Sequence, residues 1–120
     1  MATNTGATGD RVVYTAGADI SSGDIVAVDG ILYVALVDIA NGATGTLATN
    51  IEVDAPKVSA AVIAAGETVI WDASAGAFDD NAATPATGDI SGAAARALEA
   101  GVNTQTLIRV KLTGVQGTVA

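Results

Sequence analysis

Cysteine and histidine are both absent from the 120 residues. Without cysteine there are neither disulfides nor thiolate metal sites to hold the fold. Without histidine, Ser-His-Asp and Cys-His catalysis, the usual zinc sites and a histidine pH switch are excluded. Aromatic side chains are scarce, one Trp, one Phe and two Tyr, although half of the chain is hydrophobic. The core must therefore be built from Ala, Val, Ile and Leu. Cations are scarce as well: five Lys and Arg stand against 13 Asp and Glu, a net charge of −8 that disfavours nucleic acid phosphates. No apolar run approaches the roughly 20 residues of a membrane-spanning helix. Residues 1–6 lack the basic and apolar segments of a secretion signal. The expectation is a soluble chain with no nucleic acid and no membrane among its partners.

What is present reads as one domain of short strands. The length suits a single core. Residues 1–10 are small and polar, with Gly6 and Gly9, and read as a flexible N-terminal arm. Residues 11–112 read as a single β domain and 113–120 as a C-terminal tail. Arg11 to Thr15 is a β-branched run, and Asp29-Gly30 between Ile25–Val28 and Ile31–Val37 is a strong hairpin signal. Thr46 to Val53 reads as one strand, Glu67 to Trp71 as another, and Thr106 to Leu112 alternates apolar and polar residues as a half-buried strand does. Residues 57–65 are ambiguous: Val58, Val62 and Ile63 suit a helical face, which Ser59 and the β-branched residues weaken. Residues 74–88 read as a Gly, Ala, Asp and Thr loop with Phe78 as a plug at the core edge. Ala93 to Ala100 is the best helix former of the chain, though short for an independent helix. The tally points to an all-β fold, a small β-sandwich, jelly-roll-like or barrel-like.

Chemistry is sparse. A phosphate-binding loop needs glycines followed by Lys, and neither Lys57 nor Lys111 follows a glycine. Asp79, Asp80 and Asp89 with Asn81 form the densest acidic group, whose readings are a carboxylate-dependent hydrolase, a calcium loop or a solvated loop. Their spacing fits no EF-hand, and the solvated loop is preferred. Trp71 reads as a core or interface anchor, with sugar stacking on Trp71, Tyr14 or Tyr33 as the alternative. Arg96, Arg109 and Lys111 read as solvated strand faces or rim contacts to an acidic partner.

The order of motifs carries a resemblance. The opening Met-Ala-Thr-Asn, Ser22-Gly23-Asp24 to Val28, Leu32-Tyr33-Val34-Ala35-Leu36, Pro56-Lys57, Gly66-Glu67-Thr68-Val69-Ile70-Trp71-Asp72, Thr87-Gly88 and Ile108-Arg109-Val110-Lys111-Leu112 follow one another as in a family of small tailed-phage proteins. Over most of residues 1–112 the chain resembles the phage capsid cement or decoration family, sometimes labelled a RecA/RadA-type recombinase. The missing Gly-Lys pair and the acidic balance reject the recombinase label. The resemblance implies a non-enzymatic structural protein of the virion. Such a protein binds the outer surface of the assembled head and stabilises contacts between major capsid subunits. It also implies that residues 90–98 are strand despite their helix propensity. The expected partners are the major capsid protein and further copies of the chain, as a homodimer or homotrimer. The expected location is the outside of the capsid, and the host cytoplasm during assembly. No cofactor, metal or catalytic residue is expected. The expected partner contacts are Thr3, Asn4, Thr5 and Arg11 from the arm and its end, and Trp71, Phe78, Asp80 and Asn81. The alternative is a virion-displayed carbohydrate-binding or host-adhesion module.

Overall fold

A computed structural model describes residues 10–120, so Thr3, Asn4, Thr5 and the rest of the expected arm up to residue 9 lie outside the described residues. The β-branched run after Asp10 forms β1 (Arg11–Thr15). β2 (Ile25–Val28) and β3 (Ile31–Ala35) form the expected hairpin, with Val28 opposite Ile31 and Ile25 opposite Val34. Asp29 and Gly30 have φ of 53° and 82°. Both residues of a type I′ turn must be left-handed, which is why Asp-Gly specifies it.

The expected strand 46–53 is instead two, β4 (Thr44–Ala48) and β5 (Ile51–Pro56), and they belong to different sheets. The break is at Thr49-Asn50. The Thr49 hydroxyl donates to the Leu32 carbonyl at 2.9 Å, and Asn50 takes φ 53°, a left-handed conformation that Asn tolerates better than most residues.

β6 (Val69–Asp72) is followed by β7 (Ala77–Asp80), a strand where a loop was expected. Two features close this hairpin. Asp72 Oδ1 accepts the N–H groups of Ser74 and Ala75 at 3.1 and 3.0 Å and the Ser74 hydroxyl at 2.8 Å. Gly76 takes a φ of 63°. The Ala75 N–H, followed by the Ser74 hydroxyl, holds the Asp72 carboxyl below its ordinary pKa. The support this carboxylate gives the turn is therefore present above the unfolded value and lost as pH falls through the lowered one.

The remaining strands are β8 (Ile90–Ser91), β9 (Ala95–Ala97), β10 (Leu107–Leu112) and β11 (Thr118–Val119). Residues 90–98, implied to be strand, hold two short strands in different sheets with a turn at 93–94 between them, and of the alanine-rich segment only Ala95–Ala97 is extended, against its propensity. Ala95 and Ala97 are buried while Arg96 is exposed, a period of two that only a strand provides. Residues 57–65 are neither helix nor strand. They are held by two isolated bridges, Lys57 to Phe78 and Ile63 to Gly101.

The strands form three antiparallel sheets, ordered β1-β4-β3-β2, β5-β10-β9 and β11-β8-β6-β7, with no helix among the described residues. All three contribute to the main core. Leu32, Val34 and Ala48 meet Val69, Trp71, Phe78 and Ile90 from one side and Ala97, Ile108, Val110 and Leu112 from the other. The opposite face of the first sheet makes a second, smaller cluster of Tyr33, Ala35, Leu47, Ala16 and Ile39. The alanines let the sheets approach closely, as the shortage of aromatics requires.

The segment 113–120, expected as a tail, is tied to two sheets. β11 pairs with β8, the Gly117 N–H donates to the Gly30 carbonyl at 2.9 Å, and Gln116 Nε2 donates to the Asp29 carbonyl at 2.7 Å. A Cβ on Gly117 would lie 2.8 Å from Ile90 Cγ2 and 3.0 Å from Ala94 Cβ, so this crossing requires glycine.

Candidate functional site

The expected contact residues fall in three places. Arg11 is exposed at the start of β1, an edge strand. Asp10, assigned to the arm on sequence, belongs to the fold. Its carbonyl accepts the Thr49 N–H at 2.8 Å, and its Oδ1 accepts Asn50 Nδ2 at 3.4 Å.

Trp71 and Phe78 are core residues. Phe78 is 0% exposed and Trp71 8%, and their rings meet edge-on with centroids 5.0 Å apart at 61°. Trp71 and Phe78 are cross-strand partners of β6 and β7, which is why they pack together. The exposed edge of Trp71 opens on a cleft of about 230 Å³ beside Gly23, Ile25 and Pro56. That is below the range of about 300–1,000 Å³ usual for small-molecule sites. Tyr33 is likewise buried. The faces of Trp71 and Tyr33 that a sugar would need are thus occupied by the protein itself.

Asp80 ends β7 and Asn81 follows it, exposed. Asp80 Oδ1 accepts the Ala82 N–H at 3.2 Å. Beside them runs a surface groove of about 460 Å³ with an apolar side formed by Val58, Ala61 and Val62 and an acidic one formed by Asp79 and Asp80.

Of the three aspartates read together on sequence, Asp89 is separated from Asp79 and Asp80. Asp80 lies opposite Val69 on one flank of β6, whereas Asp89 precedes Ile90 on the other flank, opposite Trp71. At a strand rise of about 3.3 Å and a strand spacing of about 4.8 Å, that puts them more than about 10 Å apart. Asp89 is a structural residue, 4% exposed, whose Oδ1 accepts the Ala73 N–H at 3.1 Å and Oδ2 the Ala86 N–H at 2.9 Å. Among the described residues no three acidic side chains gather as a metal site would require.

Two features go beyond what local sequence gives. Lys57 is 3% exposed, with Nζ donating to the carbonyls of Val58, Gln105 and Ser59 at 2.9, 3.2 and 3.3 Å. The outward face of the β5-β10-β9 sheet is lined with charge. Arg109 lies opposite Asp54, and its Nε is 3.2 Å from Asp54 Oδ1. That hydrogen bond, then the charges of Asp54, Glu99 and Glu52, raises the Arg109 pKa above its ordinary value. Lys111 lies between Glu52 on one side and Arg96 on the other. The alternation of β10 shows which of its residues face outward, but the pairing of Arg96 with Lys111 depends on a register that only the fold supplies.

The arrangement offers surfaces for a macromolecule: an exposed edge at Arg11, an apolar and acidic groove at Asp80, and a charged sheet face. No curated protein matches the chain. The family model described as phage cement protein matches residues 5–112, nearly the whole of it. The all-β chain accordingly belongs to the phage cement protein family, structural proteins of the virion capsid.

Proposed function

We propose that this chain is a non-enzymatic cement that binds the outer surface of the assembled head and ties neighbouring major capsid subunits together. In this reading it acts as a homodimer or homotrimer and passes through the host cytoplasm during assembly. The family match over residues 5–112 carries the reading. Composition supports it: a net charge of −8 keeps a particle soluble and away from nucleic acid, as suits a position outside the shell. A polar, glycine-containing arm that orders on a neighbour costs conformational entropy, which many copies acting on one lattice offset.

The test is attachment to shells assembled without this chain. Deleting residues 2–9, a cut that spares Asp10 and its bond to Thr49, is expected to reduce the amount co-sedimenting with shells and to leave the urea unfolding midpoint unchanged. Unchanged occupancy of the shell by the truncated chain would remove the arm from the account.

A further inference from the structure

We propose that the outward face of the β5-β10-β9 sheet is the side that docks on the shell, and that it recognises a carboxylate-bearing surface there. The proposal rests on the cement reading given above. Side chains alternate along a strand, so Glu52, Asp54 and Pro56 of β5, Leu107, Arg109 and Lys111 of β10, and Arg96 of β9 share this face, all exposed. Of the five cations of the chain, Lys57 is buried on backbone carbonyls and Arg11 stands on β1. The other three are here.

The Arg109 side chain is engaged by Asp54, the one ion pair among the described residues, and the Arg109 backbone N–H donates to Glu99 Oε1 at 3.2 Å. Arg96 and Lys111 make no ion pair among the described residues and stand directly opposite each other. A like-charge pair across two strands costs stability. Glu52 stands opposite Lys111 on the other strand, but neither it nor any other carboxylate among the described residues comes within ion-pair distance of Arg96 or Lys111. The three cations of the face match Glu52, Asp54 and neighbouring Glu99, so the whole net charge of −8 lies on the rest of the molecule. With no net charge of its own, this face does not repel an acidic surface as the acidic remainder does, and there Arg96 and Lys111 gain close carboxylate contacts. Leu107, 56% exposed two residues before Arg109, and Leu98, exposed two residues after Arg96, supply apolar contact beside the cations, as in protein interfaces.

A twofold axis running along the central strand β10 would stack Arg109 and Lys111 on their own copies, whereas one running between β5 and β10 would set them against Asp54 and Glu52 of a second copy but carry Arg96, on β9, past that copy's β5. The occupant is the shell, the surface the cement reading provides, which meets Arg96 and Lys111 together.

The experiment compares binding to shells assembled without this chain, as a function of salt, for wild type, Arg96→Gln/Lys111→Gln and the charge-preserving Arg96→Lys/Lys111→Arg. Removing the like-charge pair is expected to leave the unfolding midpoint unchanged or raised. It is also expected to weaken shell binding about tenfold or more and to flatten its salt dependence, while the charge-preserving variant binds as wild type does. Equal binding by the Gln variant and wild type would overturn the proposal and leave the cement reading standing. Loss of binding accompanied by a change of oligomeric state in light scattering would also overturn it, since the face would then join copies of the chain. A wild type that does not bind shells would overturn the cement reading and this proposal together.

Discussion

Replacing Phe78 by alanine is expected to destabilise the fold by about 4 kcal/mol, as truncations of buried aromatic residues do. Phe78 is the largest fully buried side chain, and it belongs to the main core, to which all three sheets contribute. The truncation removes its transfer energy, leaves a cavity in a core whose neighbours include small, inflexible alanines, and deletes the edge-on contact with Trp71, worth about 1 kcal/mol by itself. In a domain of this size the loss corresponds to a fall in Tm of roughly 15 °C. Phe78→Leu, which keeps much of the volume, is expected to lose about 1.5 kcal/mol. Thermal unfolding followed by circular dichroism measures both. A residue acting only as a partner contact would weaken docking and leave Tm unchanged, and that result would contradict the core assignment.

Lys57→Met is expected to cost about 2 kcal/mol, although methionine is apolar and of similar length. The aliphatic stem packs against Gly101, where a Cβ would lie 2.8 Å from Lys57 Cε and 3.0 Å from Ile108 Cδ1. Methionine keeps much of that packing. What it removes is the ammonium that gathers three carbonyls. The Val58 carbonyl retains the Ala61 N–H and the Ser59 carbonyl retains the Thr104 N–H. The Gln105 carbonyl has no such substitute within the protein, and because it is half-buried its loss falls at the low end of the range of about 1–3 kcal/mol for an orphaned buried carbonyl. The loss of two further charge-assisted bonds is offset in part by sparing the desolvation of a buried charge. Urea unfolding measures the balance: a midpoint lower by roughly 1 M or more is expected for an m-value near 1.5 kcal/mol/M. A variant as stable as wild type would show that desolvation of the ammonium cancels its hydrogen bonds.

These two residues mark where local sequence is informative and where it stops. The β2–β3 hairpin was legible because Asp29-Gly30 is itself the cause of the turn. β10 was legible because Ile108, Val110 and Leu112 are buried on one face in strict alternation. β7 was hidden in a stretch of small and acidic residues, since Phe78 is its only large apolar side chain and its pairing partner, Trp71, lies across a turn. The break at Asn50 was hidden because strand-forming residues lie on both sides of it, and what divides them is a change of sheet. Lys57 and Asp89 read as ordinary polar residues. Gln105, which accepts from Lys57, lies 48 positions along the chain, and Ala73, which donates to Asp89, lies 16 away. Of the expected contacts, Arg11, Asp80 and Asn81 are on the surface, whereas Trp71 and Phe78 are large apolar residues that the core required for itself. In a chain with so few aromatics, the core has first claim on them.

The central claim is that this chain is a shell component present in many ordered copies. Quantitative mass spectrometry of purified virions, before and after DNA release, measures its copy number against the major capsid protein. The account predicts a high and constant ratio that survives loss of the DNA. Absence from the particles, or only a few copies in each, would contradict it.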